Sequence, residues 1–293
     1  IAIISTKFLK CHDALTGAKN WELTGVDVVD MAISDNKIFY IISEFGTFPV
    51  DKVGCKDILN GKTIWEKSMK LKHYSCINIF DKYLYVSGYN SLLKLNPGTG
   101  TKIDEFGIEN TYRRNDTLRF EKGTVVHTKK SNWWGRFLEH LLDLSAYNLD
   151  DGEERWRLET DEKTRFKSLS INGNRAYIGY TYFRDYRDSS EPKTQKIIEC
   201  RDLESGEMLW ESEYRGFSYD IKAIGEDKLI GVVDDTLLLC INKKNGKEIW
   251  RKETSKPCKK SVLIGDNFFY VENKEIDEKI AEKSWVHCID ICL

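Results

Sequence analysis

No run of apolar residues in this 293-residue chain approaches the roughly 18 to 20 that a membrane-spanning helix needs. The first residues lack the charged, apolar and small-residue succession of a secretion signal. The chain therefore reads as soluble, without a membrane span. There is no dominant charge either: 45 Lys and Arg stand against 47 Asp and Glu, so no whole-molecule field draws it to nucleic acid or to an anionic surface. Chemistry-bearing patterns are equally sparse. The eight cysteines include no Cys-x-x-Cys of a zinc or redox site. The histidines, His12, His73, His127, His140 and His287, show no His-x-x-x-His pairing. There is no Gly-x-Ser-x-Gly elbow and no glycine-rich phosphate loop. No catalytic, metal-binding or cofactor-binding residue is assigned from these patterns.

What the chain has is a repeat. Cys240 to Trp250 reads as a strand end, a polar turn and a second strand opening on tryptophan. The pattern of Asp or Asn, Gly four residues later and Trp eight residues later gives Asn242-Gly246-Trp250. It recurs at Asp13-Gly17-Trp21, Asp57-Gly61-Trp65, Asn148-Gly152-Trp156 and Asp202-Gly206-Trp210. A worn copy, Asn96-Gly100, carries Asp104 in place of Trp, and Asp290 begins a cut-off copy. The turn glycines at 17, 61, 100, 152, 206 and 246 are spaced by 44, 39, 52, 54 and 40 residues. That is the period of a four-stranded propeller blade.

Each element of the repeat has a physical task. The Asp or Asn side chain can accept backbone N–H groups of its own turn, and Gly permits the positive φ that reverses the chain. The tryptophan, too large to leave in water, is expected to fill the wedge between neighbouring blades. Two residues before the Asp or Asn stand Cys11, Cys55, Cys200, Cys240 and Cys288, with Ala146 in another copy. A slot shared by Cys and Ala is small, apolar and buried, and unpaired thiols point to a reducing compartment, the cytoplasm. Upstream, residues 28–34, 37–43, 53–58 and 63–68 read as four strands separated by Asp35-Asn36 and Asn60-Gly61 turns. The second strand recurs at 83–87, 124–128, 175–179, 228–233 and 268–271, with residues 1–5 as its first copy.

The run Cys11-His12-Asp13-Ala14-Leu15-Thr16-Gly17-Ala18-Lys19-Asn20-Trp21 resembles the repeat of the quinoprotein dehydrogenase-like (PQQ-like) β-propellers. The resemblance extends over nearly the whole chain. It implies an all-β fold, a single propeller domain over 1–293 with four-stranded antiparallel blades. Seven blades are expected, eight being the alternative, with the first and last incomplete. The family includes quinone-dependent dehydrogenases, outer-membrane assembly scaffolds and sensor domains, so fold alone does not choose a function. A dehydrogenase of this kind needs calcium, a catalytic carboxylate and, often, adjacent cysteines around the quinone. The chain has no Cys-Cys pair and no calcium-loop spacing, so PQQ and calcium are possible cofactors without residues to support them, and none is assigned.

Two of the spacings are long, and both insertions fall between the second and third strands of adjacent units. Loops on a rigid frame are where function concentrates. In the first, Lys129 to Leu142, Ser131 or Asn132 is placed to cap a short helix bearing Trp134, Phe137, Leu138, Leu141 and Leu142 on one face. The second, Tyr180 to Lys196, reads as a long hairpin in which aromatics interleave with Arg184 and Arg187. A third, Glu272 to Ser284, reads as a solvated helical turn. Trp133, Trp134, Arg136, Phe137, Tyr182, Phe183, Arg184, Tyr186 and Arg187 are the candidate partner-binding residues, of the types that dominate interface energetics. Asp185, Asp188 and Glu191 oppose a nucleic-acid reading. The expectation is a non-catalytic interaction scaffold or sensor module with a protein partner, the alternative a quinone-dependent dehydrogenase or small-ligand binder using the central channel. Starting at Ile1 rather than Met, the chain is compatible with being part of a longer one.

Overall fold

The computed structural model describes residues 2–5, 8–13, 15–43, 51–69, 71, 76–87, 91–108, 117–132, 139–159, 164–183, 194–214, 220–224, 227–234, 236–254, 258–264, 267–273 and 284–290. Every regular element among them is a strand, and the strands form seven antiparallel sheets. The first sheet holds β1 (Ala2–Ser5), β2 (Phe8–His12) and β3 (Lys19–Thr24). The second holds β4 (Asp27–Ser34), β5 (Lys37–Ser43), β6 (Asp51–Asp57) and β7 (Thr63–Met69), the third β8 (Ile77–Phe80), β9 (Tyr83–Ser87), β10 (Ser91–Leu95) and β11 (Lys102–Gly107). The fourth comprises β12 (Thr117–Glu121), β13 (Thr124–Asn132), β14 (Glu139–Asn148) and β15 (Glu154–Glu159). The fifth comprises β16 (Thr164–Asn172), β17 (Arg175–Phe183), β18 (Thr194–Asp202) and β19 (Met208–Tyr214). The sixth is β20 (Asp220–Ile224), β21 (Lys228–Asp234), β22 (Leu237–Asn242) and β23 (Glu248–Glu253), and the last is β24 (Cys258–Ile264), β25 (Asn267–Asn273) and β26 (Ser284–Asp290). Strands pair in chain order within every sheet, so each is a simple meander. The four strands read over residues 28–68 are β4 to β7, and among the described residues the first and last sheets have three strands each.

Two compact units emerge from the packing: residues 1–118 with 127–130 and 148–153, and residues 119–126 with 131–147 and 154–293. Within the first, Leu9, Val28, Ile38, Tyr40 and Ile42 form one core between the first two sheets. Phe39, Ile41, Val53, Cys55, Trp65, Leu84, Val86 and Leu95 form another between the second and third. In the second unit, Val126, Leu144, Ala146 and Trp156 of the fourth sheet pack on Leu169, Ala176, Ile178 and Leu203 of the fifth. Tyr177, Ile198 and Cys200 of the fifth pack on Ile221, Leu229, Leu239 and Ile241 of the sixth. In β5, Ile38, Tyr40 and Ile42 face one core and Phe39 and Ile41 the other, and in β17 Tyr177 faces one core and Ala176 and Ile178 the other, the alternation of an extended strand.

The repeat motif is the joint between sheets. Asp13 Oδ1 accepts the N–H groups of Leu15 and Thr16 at 3.0 and 2.8 Å, while the Gly17 N–H donates to the Asp13 carbonyl at 3.0 Å with φ +72°. Asp57 and Asp202 build the same turn, and the carbonyl oxygens of the Asn96, Asn148 and Asn242 side chains serve equally. A one-residue register shift follows Cys11, Cys55, Lys94, Ala146, Cys200 and Cys240, in the six copies that keep the turn glycine. The tryptophans then reach the next sheet. Nε1 of Trp21, Trp65, Trp156 and Trp210 donates to the carbonyls of Ile58, Pro97, Leu203 and Lys243 at 2.8 to 2.9 Å. Their rings lie against Gly61, Gly100, Gly206 and Gly246, so closely that a Cβ on these glycines would stand 2.4 to 2.6 Å from a neighbouring atom. In the worn copy, Phe106 takes the place of the missing ring and lies against Gly152.

The small slot is as expected: Cys11, Cys55, Ala146, Cys200 and Cys240 are at most 2% exposed. None of the described cysteines, Cys11, Cys55, Cys76, Cys200, Cys240 and Cys258, is in a disulfide. His127 is buried within β13, a blade residue.

The expected helix over 131–142 is replaced by strand at both of its described ends, and residues 133–138 lie outside the described residues. Ser131 and Asn132 end β13, and Glu139 to Leu142 begin β14. A short helix is marginal in isolation, whereas continuing an existing ladder satisfies backbone groups residue by residue without a new nucleus. Apolar residues over so short a run fit either period. The helical turn read between Glu272 and Ser284 falls mainly on residues outside the described ones; its first two residues and Ser284 are strand.

Candidate interaction site

The two insertions lengthen two hairpins. β13 and β14 span 9 and 10 residues, and β17 and β18 span 9 each. The corresponding strands of the second, third and sixth sheets have 7 and 7, 5 and 5, and 7 and 6 residues. The β17–β18 ladder runs without a bulge from Arg175↔Asp202 to Phe183↔Thr194. Trp156 of the fourth sheet docks on the Asp202 turn of the fifth, so the tight turns of these sheets share one end. The extended hairpins therefore leave by the other end, next to each other.

The base of the β17–β18 hairpin is held by a charged cluster. Glu199, only 2% exposed, pairs with Arg201 at 2.8 Å, and Arg201 also donates to the Gly206 carbonyl at 2.8 Å. The Tyr180 hydroxyl lies 3.4 Å from Glu199 and 3.5 Å from Glu211. Burial, followed by the two glutamates, pushes the Tyr180 hydroxyl well above its ordinary pKa, so it remains a neutral donor between two carboxylates. The cluster fixes the middle of the long hairpin from three strands. Sequence reading passed over Glu199, although the equivalent positions three residues before the turn Asp or Asn hold Lys10, Gly54, Leu93, Ser145 and Leu239. A lone carboxylate in that column was the available signal.

Of the expected partner-binding residues, Trp133, Trp134, Arg136 and Phe137 lie outside the described residues, as do Arg184, Tyr186 and Arg187. Tyr182 and Phe183 are strand residues, paired with Gln195 and Thr194. The described strands that flank both groups belong to the fourth and fifth sheets, which pack on each other. As for the calcium that the resemblance implies, no group of three His, Cys, Asp or Glu side chains able to hold a metal ion exists among the described residues. Among the same residues no helix is long and apolar enough to cross a membrane.

Comparisons agree with the repeat and the fold. A PQQ-repeat family model, described as outer membrane protein assembly factor BamB, matches residues 194–287. No curated protein matches the chain in sequence. Among solved structures, BamB from Moraxella catarrhalis is similar with a TM-score of 0.62 at 17% identity, over 91% of this chain and 76% of that one. The quinohemoprotein alcohol dehydrogenase ADHIIG from Pseudomonas putida HK5 is similar with a TM-score of 0.60 at 11% identity, over 91% of this chain and 60% of that one. Hsv2p of Kluyveromyces lactis gives 0.58 at 13% identity, over 100% and 95%. At such identities the likeness is one of fold, that of a β-propeller, while the PQQ-repeat match covers residues 194–287.

Proposed function

We propose that this PQQ-like repeat β-propeller is a non-catalytic module that binds another protein through its two neighbouring extended hairpins. The observation that carries the reading is the pair itself: β13–β14 and β17–β18 outgrow their counterparts and leave the same end of two sheets packed together. The segments between these strands supply Trp133, Trp134, Arg136, Phe137, Arg184, Tyr186 and Arg187, residue types that anchor interfaces. The matched family model bears the name of an assembly factor, which favours scaffold work over turnover. On this reading the protein needs neither quinone nor calcium.

The test is a variant in which residues 133–138 and 184–193 are each replaced by a short Asn-Gly turn. Cross-linking and affinity capture should recover a protein with the parent chain and lose it with the variant, at unchanged thermal stability. Equal capture by both would sink the proposal. Dye-linked alcohol or sugar oxidation after adding quinone and calcium should give no turnover; sustained turnover would put the dehydrogenase reading in its place.

A further inference from the structure

Lys243 departs from the repeat in a way the proposed interface does not use. It follows the turn Asn242, where other copies carry Ile58, Pro97, Leu149 and Leu203, and its side chain is buried to 4% exposure. Its backbone is fixed by three hydrogen bonds. The N–H donates to the Asp227 carbonyl at 2.8 Å, and the carbonyl accepts Nε1 of Trp210 at 2.9 Å and the Arg175 guanidinium at 2.8 Å. From that anchor Nζ crosses to the fifth sheet and donates to Oδ1 of Asn172. Asn172 ends β16 and precedes Gly173, which has φ +63°.

Asn-Gly is the dipeptide in which a backbone nitrogen most easily reaches a side-chain amide, because Gly places no side chain in the way. The chain has three such pairs: Asn60-Gly61, Asn172-Gly173 and Asn245-Gly246. In two of them the turn withholds the nucleophile. Gly61 N–H donates to Asp57 and Gly246 N–H to Asn242, both at 2.9 Å, while Oδ1 of Asn60 and Asn245 accept the N–H groups of Lys62 and Lys247 at 2.8 and 3.0 Å. The Gly173 N–H is held by no hydrogen bond among the described residues, and its electrophile carries a lysine.

We infer that Asn172-Gly173 is a self-modifying deamidation site promoted by Lys243. The Gly173 nitrogen gives its proton to water and attacks Cγ of Asn172. Negative charge develops on Oδ1, where Lys243 Nζ already stands as an oxyanion donor. The bond from Cγ to the side-chain nitrogen breaks, ammonia leaves, and a succinimide closes. Water then opens the ring at one of its two carbonyls, leaving at this position either an aspartyl residue or its isoaspartyl isomer. One water is consumed and one ammonia released, with no change of oxidation state. The aspartyl product faces Lys243 as an ion pair, while the isoaspartyl product inserts a methylene into the main chain of the β16–β17 turn.

The test is incubation of the native chain at mildly alkaline pH, followed by digestion and mass spectrometry of the three Asn-Gly peptides. Residue 172 should convert several-fold faster than residues 60 and 245, giving both products, and the three rates should converge when the chain is unfolded in urea. Lys243→Leu, which restores the aliphatic side chain found at Leu203, should slow residue 172 to the rate of the other two. Equal native rates, or an unchanged rate at 172 in a folded Lys243→Leu chain, would overturn the assignment. Circular dichroism reports whether that variant folds; should it not, the comparison within the native chain still decides.

Discussion

Alanine at Gly61 and at Gly17 separates the two reasons for a glycine in the repeat. Both residues lie in the first compact unit and have nearly the same backbone, φ +71° and +72°. At Gly17 a Cβ meets nothing within 4 Å. Gly17→Ala should therefore show only the penalty of a left-handed L-residue, about 1 to 2 kcal/mol, reduced by about 0.4 to 1 kcal/mol through the stiffer unfolded chain. At Gly61 the same Cβ would stand 2.6 Å from Cγ and 2.9 Å from Cδ2 of Trp21, so the ring must move. It cannot move freely, because Trp21 Nε1 donates to Ile58 in the same turn at 2.8 Å. Overpacking adds about 1 to 3 kcal/mol, and a weakened hydrogen bond about 1 kcal/mol more. Urea unfolding should thus place Gly61→Ala about 2 to 4 kcal/mol below Gly17→Ala once these terms are combined. In a Trp21→Ala background the Gly61→Ala penalty should fall to that of Gly17→Ala, a coupling seen only for residues in contact. Equal destabilisation by the two glycine variants in the parent chain would refute the account of Trp21 packed on the neighbouring turn.

The remaining predictions concern titrating groups. Burial raises the thiols of Cys55, Cys200 and Cys240 to about 11, so in the folded chain at slightly alkaline pH only about one in a thousand is thiolate. Peptide mapping after brief alkylation should find them unmodified until urea unfolds the chain; rapid native labelling would contradict their slot. Asp202 is held below the ordinary carboxylate range, first by the Ser205 backbone N–H and then, against a smaller opposing effect of burial, by the Ser205 hydroxyl and the Glu204 backbone N–H. Its contribution to stability is complete above the unfolded carboxylate pKa and is lost as pH falls through the lower folded value. Asp202→Asn puts in place the side chain that Asn148 and Asn242 use in the same turn. It should leave neutral-pH stability nearly unchanged and flatten the acid side of the stability profile; a large loss at neutral pH would show that the charge, not the acceptor, matters.

Strands and turns were legible in the sequence because every blade solves one packing problem with the same residues. The carboxamide and carboxylate oxygens that close the turn, the glycine that allows the positive φ, and the ring that covers it all lie within nine consecutive positions. Charges buried across a seam were not legible in this way. Lys243 and Asn172 are 71 residues apart, and Glu199 is recognisable only by comparison with its column of the repeat. The second long hairpin was legible as a hairpin, whereas the first was legible only as an insertion, since a short apolar run satisfies either a helical or an extended period. Asp104 abandons the tryptophan position, and the residue paired with it across the sheet is Lys94 rather than cysteine. A strand returns to the same face every second residue, and two positions further on stands Phe106, 7% exposed, lying against Gly152. The apolar pair of one face has become an oppositely charged pair, and the docking ring has slid along its strand by one pleat. The joint therefore requires an aromatic ring over a glycine turn, and tolerates its displacement along the strand so long as the face is kept.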